Sequence, residues 1–268
     1  MKLQILLFVA FLSINSLSAR PISQFRGFGR DGHYPEKGLL KSWPEQGPTL
    51  VWKSEIIGDG YSAATIFDDI IYVTGKIDSF DYITALNQDG KKLWQVPFGK
   101  AWYKSFKASR CTPTVEEERI YVISGAGDMV CLNRQNGQTL WSDNYMKRFK
   151  GLQLRWGIAE SPLIVDNHVI ATPGGNVTTM IAFDKKTGSI VWQTEPLNEK
   201  TAYVSPLLIR DKDYDMIVGV ISTHIFGINP KDGSFLWKDR YTDINTPTEH
   251  PDSPLINCNT PLYQNGQI

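Results

Sequence analysis

Two stretches of the chain concentrate side chains able to grip a ligand. VPFGKAWYKSFKASR (Val96–Arg110) carries Lys100, Lys104, Lys107 and Arg110 with Trp102, Tyr103 and Phe106, and contains no acid. NYMKRFKGLQLRWG (Asn144–Gly157) adds Lys147, Arg148, Lys150, Arg155 and Trp156. Cations pair with carboxylates and rings cover a planar face, so this combination suits a flat polyanion. A solvated basic surface is the competing reading. Arg110, Arg155 and Trp156 lie nearest the regular structure that follows each stretch, which makes them the preferred contacts. Glu160, just before Ser161-Pro162, is a candidate buried carboxylate: a base, a Ca²⁺ ligand, or an acceptor for backbone amides. Asn176 in PGGNVT (Pro173–Thr178) is a second candidate oxygen ligand, although Gly174-Gly175-Asn176 also reads as a simple turn. His168 and His224 stand singly in strand-like runs, and no Ser/His/Asp arrangement can be assembled from the spacing. No catalytic set is evident.

These stretches are connectors within a repeat. A block built on Gly, three residues, then Trp occurs four times: ALNQDGKKLW (Ala85–Trp94), CLNRQNGQTLW (Cys131–Trp141), AFDKKTGSIVW (Ala182–Trp192) and GINPKDGSFLW (Gly227–Trp237). The Trp-to-Trp intervals are 47, 51 and 45 residues, the length of one four-stranded propeller blade. In the second copy, SRCTPTV, RIYVIS, MVCLN and QTLWSDN read as four strands separated by turns. Ser161-Pro162 and Ser205-Pro206 align with Thr112-Pro113, and Ala63-Ala64 takes that place in the first copy. The expected fold is all-β: four four-stranded antiparallel blades, with a fifth copy opening at Asn259-Thr260-Pro261.

Gly90, Gly137, Gly188 and Gly233 each close a hairpin that needs positive φ. Trp94, Trp141, Trp192 and Trp237 then lie on outer strands and dock on a neighbouring blade, with Ala85, Cys131, Ala182 and Gly227 leaving room. GPTLVWKSEI (Gly47–Ile56) resembles only the last strand of a blade, with Trp52 at the docking position, and is expected to be a closing strand. Its partners would lie past Ile268, so the chain reads as part of a longer, eight-bladed protein of roughly 400 residues.

The pattern small–apolar–Asn/Asp–x(2–3)–Gly–x–x–x–Trp resembles the tryptophan-docking motif of pyrroloquinoline-quinone-like (PQQ-like) β-propeller repeats, over about residues 44–268. The opening QFRGFGRDGHYPEKGLLKSWPEQGPTLVWK (Gln24–Lys53) is similar to that of secreted bacterial members. That family includes quinoprotein alcohol dehydrogenases, polyvinyl-alcohol dehydrogenase-like proteins and the lipoprotein scaffold of outer-membrane β-barrel assembly. The resemblance therefore implies two alternatives. One is a binding or assembly scaffold that holds a protein partner by rim loops or an exposed strand edge. The other is an oxidoreductase of alcohols or sugars with PQQ and Ca²⁺, in which Arg110 and Arg155 hold carboxylates, Trp156 stacks, and Glu160 and Asn176 contribute oxygen. The chain departs from the enzymes in lacking adjacent cysteines and a haem attachment motif, and from the scaffold in lacking a lipid-attachment Cys. Ligands of propellers usually sit at the channel mouth, where a partner or small molecule is expected.

Composition sets the remaining bounds. A formal net charge of zero argues against nucleic acid as partner. Lys2, the apolar Leu3–Leu12 and the small Ser16, Ser18 and Ala19 read as a secretory signal over 1–19, too short to span a bilayer. The mature protein is expected to be exported, periplasmic or extracellular, with an extended segment at 20–46 and the propeller at 47–268. Cys111, Cys131 and Cys258 have no pairing geometry in the blade and read as free thiols.

Overall fold

The computed structural model describes residues 22–34, 36–212, 214–240 and 256–268; the secretory signal expected over 1–19 lies outside them. Four antiparallel sheets of four strands follow one another along the chain, each in simple meander order. Blade 1 is β1 (Thr65–Phe67), β2 (Ile70–Ile77), β3 (Phe80–Leu86) and β4 (Lys92–Lys100). Blade 2 is β5 (Thr114–Glu116), β6 (Arg119–Ile123), β7 (Asp128–Asn133) and β8 (Thr139–Asn144). Blade 3 is β9 (Leu163–Val165), β10 (His168–Ala171), β11 (Ile181–Asp184) and β12 (Ile190–Gln193). Blade 4 is β13 (Leu207–Arg210), β14 (Asp215–Val220), β15 (His224–Ile228) and β16 (Phe235–Arg240). One short helix, α1 (Tyr145–Arg148), interrupts the blade 2–3 connector, capped by the Asn144 side chain accepting from Lys147 N.

The middle strands of each blade are buried on both faces, so their apolar residues run together rather than alternate, as in β6, whose last four residues are fully covered. A hydrophobic core joins blades 1, 2 and 3, and a second joins blades 3 and 4.

The small residues stand directly opposite the docking tryptophans: Ala85 pairs with Trp94, Cys131 with Trp141, Ala182 with Trp192 and Gly227 with Trp237. The indoles of Trp94, Trp141 and Trp192 reach forward onto the hairpin glycine of the following blade. A Cβ on Gly137 would lie 2.8 Å from Trp94, one on Gly188 2.7 Å from Trp141, and one on Gly233 2.6 Å from Trp192. Trp141 Nε1 donates to the Lys185 carbonyl (3.1 Å) and Trp192 Nε1 to the Pro230 carbonyl (2.9 Å). The glycine thus does two jobs, giving positive φ and leaving a flat seat for the ring. Trp237 instead directs Nε1 to Met216 Sδ within its own blade.

Two expectations need correction. Trp52 does dock, against Gly90 with Nε1 to the Gln88 carbonyl at 2.6 Å, but Gly47–Ile56 is not a strand. No described strand runs beside it, and an unpaired extended segment has no ladder. The first strand of blade 2 starts at Thr114 rather than Ser109. Pro113 has no N–H, and the residues before it bond across blades instead of along the sheet.

Candidate functional site

The residues that lead into the first strand of each blade lie outside the sheet ladder, and their N–H groups need other acceptors. The Ser/Thr-Pro positions supply them. Ala63 N donates to Thr112 Oγ1 (3.1 Å), Thr112 N to Ser161 Oγ (3.0 Å), Ser161 N to Ser205 Oγ (3.0 Å), and Ser205 N to Thr260 Oγ1 (3.4 Å). Blade follows blade through this hydroxyl belt. Its signal was present in the sequence as an aligned hydroxyl-Pro pair, but a repeat alignment does not say which blade receives the bond.

The 22–34 segment enters the same space. Ser23 exchanges both backbone bonds with Val115 on β5 (3.0 and 2.8 Å). Arg30 is 1% exposed; Nη2 donates to the Ser161 carbonyl and Nη1 to the Pro162 carbonyl, both at 2.9 Å. Gln24 Oε1 accepts a further bond from Nη1 at 3.2 Å. Burial lowers the guanidinium pKa to about 10, opposed by the charge of Glu160. Nothing in the composition of the opening segment marked Arg30 for burial against Ser161 and Pro162; only the fold brings it there.

The five candidate contacts divide among three places: Glu160 inside, Arg110, Arg155 and Trp156 on connectors, and Asn176 in the β10–β11 turn of blade 3. Glu160 is 3% exposed and lies inside, where Oε2 accepts from Thr172 N and Oε1 from Thr172 Oγ1, each at 3.0 Å. Burial pushes its pKa up to about 8, with the Thr172 bonds and Arg30 acting the other way. Its neighbours are Arg30, Cys111 and the buried Tyr145.

Arg110, Arg155 and Trp156 lie instead on the connectors. Arg110 turns back on its own loop, with Nη1 on the Ala108 carbonyl (3.2 Å) and Nη2 on that of Phe106. Burial lowers its pKa, offset by Tyr203, Asp81 and Tyr61. Trp156 stacks on Tyr203 with centroids 5.1 Å apart and makes a T-shaped contact with Phe106 at 5.6 Å. Trp156 N also donates to Tyr203 Oη (2.7 Å), and Ser105 Oγ to the Arg155 carbonyl (3.1 Å). Arg155 and Asn176 are exposed. Tyr203, from the next connector, ties the group together and was missed, because a single tyrosine outside any motif carries no signal.

Trp102 anchors the first connector. It is 7% exposed and seated between Gly125 and Gly157, where an added Cβ would come within 2.8 and 2.7 Å of it. Asp81, with Oδ2 on Gly125 N (2.7 Å), braces the same turn, and burial raises its pKa to about 6. The arrangement is a rigid rim of three connectors, bonded at their tips. Within this chain the candidate contacts do not converge on one cradle: one face of Trp156 is covered by Tyr203, both carboxylate oxygens of Glu160 are bonded to Thr172, and Arg110 points home. Among the described residues no group of three or more His, Cys, Asp or Glu side chains is placed to hold a metal.

With four meander blades joined in series, the family can be read. The family model described as outer membrane protein assembly factor BamB matches residues 79–250. The chain belongs to this family. Outer membrane protein assembly factor BamB of Salmonella typhimurium strain LT2 is 29% identical over 156 residues, covering 53% of this chain and 36% of that protein. BamB from Moraxella catarrhalis is 16% identical with a TM-score of 0.45, over 66% of this chain and 47% of that one. A europium-containing methanol dehydrogenase is 15% identical with a TM-score of 0.55, over 72% of this chain and 44% of that one. The last likeness establishes the propeller fold alone. The chain spans less than half the length of each of these BamB-like and dehydrogenase relatives.

Proposed function

We propose that this chain is a scaffold propeller of the BamB kind, exported to the periplasmic side of the outer membrane, which holds a protein partner on the connectors at one mouth of its channel. The carrying observation is the divergence of the candidate ligand residues. Glu160 is satisfied inside by Thr172, while Arg110 and Trp156 are committed to their own rim. What the rim leaves free is a stiff surface bearing Tyr103, Phe106 and Arg155, which suits a macromolecular contact better than a buried cofactor.

The test is a PQQ titration of the mature protein in Ca²⁺, followed by absorbance, beside site-specific photo-cross-linking from position 103 in cells. The scaffold reading expects no saturable quinone binding and a discrete cross-linked partner that disappears in Phe106→Ser. Saturable PQQ binding lost in Arg110→Ala/Arg155→Ala would replace it with the oxidoreductase reading.

A further inference from the structure

The charge on this rim is far from that of the molecule. The chain has formal net charge zero, yet residues 96–110 and 145–159 hold Lys100, Lys104, Lys107, Arg110, Lys147, Arg148, Lys150 and Arg155 and no Asp or Glu. Arg148 pairs with Asp143, and Arg110 is turned inward. Lys104 and Lys107 remain exposed beside Tyr103 (68% exposed), Phe106 (62%) and Leu152 (44%). Carboxylates on the adjoining segments are fewer than these eight cations. Asp81 is buried, and Glu199 on the third connector is engaged by Thr223 and His224. Exposed Asp59 and Asp78 stand on the blade 1 flank, and Glu195 is exposed on the third connector.

The surface is also prearranged. Trp102 locks the first connector between two glycines, and the Phe106–Trp156–Tyr203 contacts fix the tips of three connectors to one another. A partner therefore meets a surface whose ordering cost has largely been met in folding.

We propose that this rim is the docking site for an acidic, extended polypeptide segment with aromatic or aliphatic side chains between its carboxylates. The inference rests on the scaffold reading and supplies the chemistry of its partner. Carboxylates spaced along a strand meet Lys104, Lys107 and Arg155, while apolar side chains cover Tyr103, Phe106 and Leu152. Polypeptide is favoured over nucleic acid because the chain as a whole carries no net positive charge and the cations alternate with aliphatic as well as aromatic surface, Leu152 among it. It is favoured over a lipid surface because the exposed apolar groups are few and interleaved with cations, without a continuous apolar face to enter the acyl region.

The experiment is fluorescence anisotropy of the mature protein with a labelled peptide of alternating Glu and Phe. The same peptide with Lys for Glu, phosphatidylglycerol vesicles and oligothymidine serve as competitors. Variants are Lys104→Glu/Lys107→Glu and Phe106→Ser, with Lys186→Glu/Lys231→Glu on exposed outer hairpins as the equal-charge control. Far-UV circular dichroism and thermal unfolding verify that each variant is folded. The expected result is saturable, salt-sensitive binding of the Glu/Phe peptide, weakened about tenfold or more by either rim variant and unchanged in the control. No binding by the folded protein, equal binding of the Lys peptide, or indifference to the rim variants overturns the proposal. Displacement by vesicles or oligothymidine, with tighter binding lost in the same variants, overturns it in favour of that other class. If the peptide fails while position 103 still cross-links a discrete protein, the scaffold reading stands and only the acidic chemistry falls.

Discussion

The Arg30 guanidinium donates to the backbone carbonyl of Ser161 at 2.9 Å, across 131 residues of chain. This bond fastens the opening segment to the propeller, where a second guanidinium nitrogen takes the Pro162 carbonyl and Ser23 pairs with Val115. The segment is thus bonded to the first strand of blade 2 and to the residues leading into blade 3.

Removing that guanidinium strands the Ser161 carbonyl and opens a cavity. Arg30→Ala is expected to lower unfolding stability by about 2–4 kcal/mol. Arg30→Lys keeps the charge but cannot span two carbonyls, and should fall between. Urea midpoints give the order, and hydrogen exchange at Ser23 and Val115 should quicken in both variants. Unchanged midpoints and protection would show that the segment contributes nothing to the folded state.

The seat of Trp141 on Gly188 gives a non-additive prediction. Trp141→Ala should cost about 3–5 kcal/mol through the cavity it leaves. Gly188→Ala meets two penalties, a φ of +73° and a Cβ 2.7 Å from the indole, together about 2–4 kcal/mol. In the double variant the clash vanishes and the backbone strain stays, so the combined loss should be smaller than the sum. Simple additivity in a denaturation cycle would sever the proposed contact.

Glu160 makes stability depend on pH. Its pKa rises from 4.5 to about 8 on folding, so the native state holds a proton that the unfolded state has released. That stabilisation is fully present below about 4.5 and declines as pH rises toward 8, above which it is gone. Asp81 acts in the same direction, but only up to about 6. The window from 6 to 8 therefore belongs to Glu160 between these two. Glu160→Gln, which can retain both Thr172 bonds, should flatten the Tm profile there. An unchanged slope would mean that Glu160 is ionised in the native protein.

The thiols should differ sharply in reactivity. Cys111 and Cys131 are buried, and burial pushes each pKa up to about 12, whereas Cys258 is exposed. Only the thiolate reacts appreciably. A native protein should consume one equivalent of a thiol reagent quickly, and Cys258→Ser should abolish that phase. Rapid modification of Cys111 or Cys131 in folded protein would contradict the packing of blade 2.

The repeat was legible because each blade solves the same local problem: a turn glycine, alternating or buried strands, and a large ring that must be covered. Ala85, Cys131, Ala182 and Gly227 could be assigned as the small residues beside the indoles from alignment alone, and the cross-strand pairs agree. Repetition does not carry direction between blades. That Trp94, Trp141 and Trp192 seat on the next blade's glycine, and that each hydroxyl of the belt receives an N–H from the blade before, depends on how successive sheets are rotated against one another.

The candidate site shows the same boundary. Sequence by itself determined the four blades, the connectors that form the rim, and the residue types those connectors display, because local periodicity and composition express them directly. Tertiary structure alone decided that Glu160 turns inward to Thr172, that Tyr203 closes the rim over Trp156, and that Arg30 lies against Ser161. These outcomes balance desolvation against hydrogen bonds between residues distant in sequence, and that balance exists only once the sheets have packed.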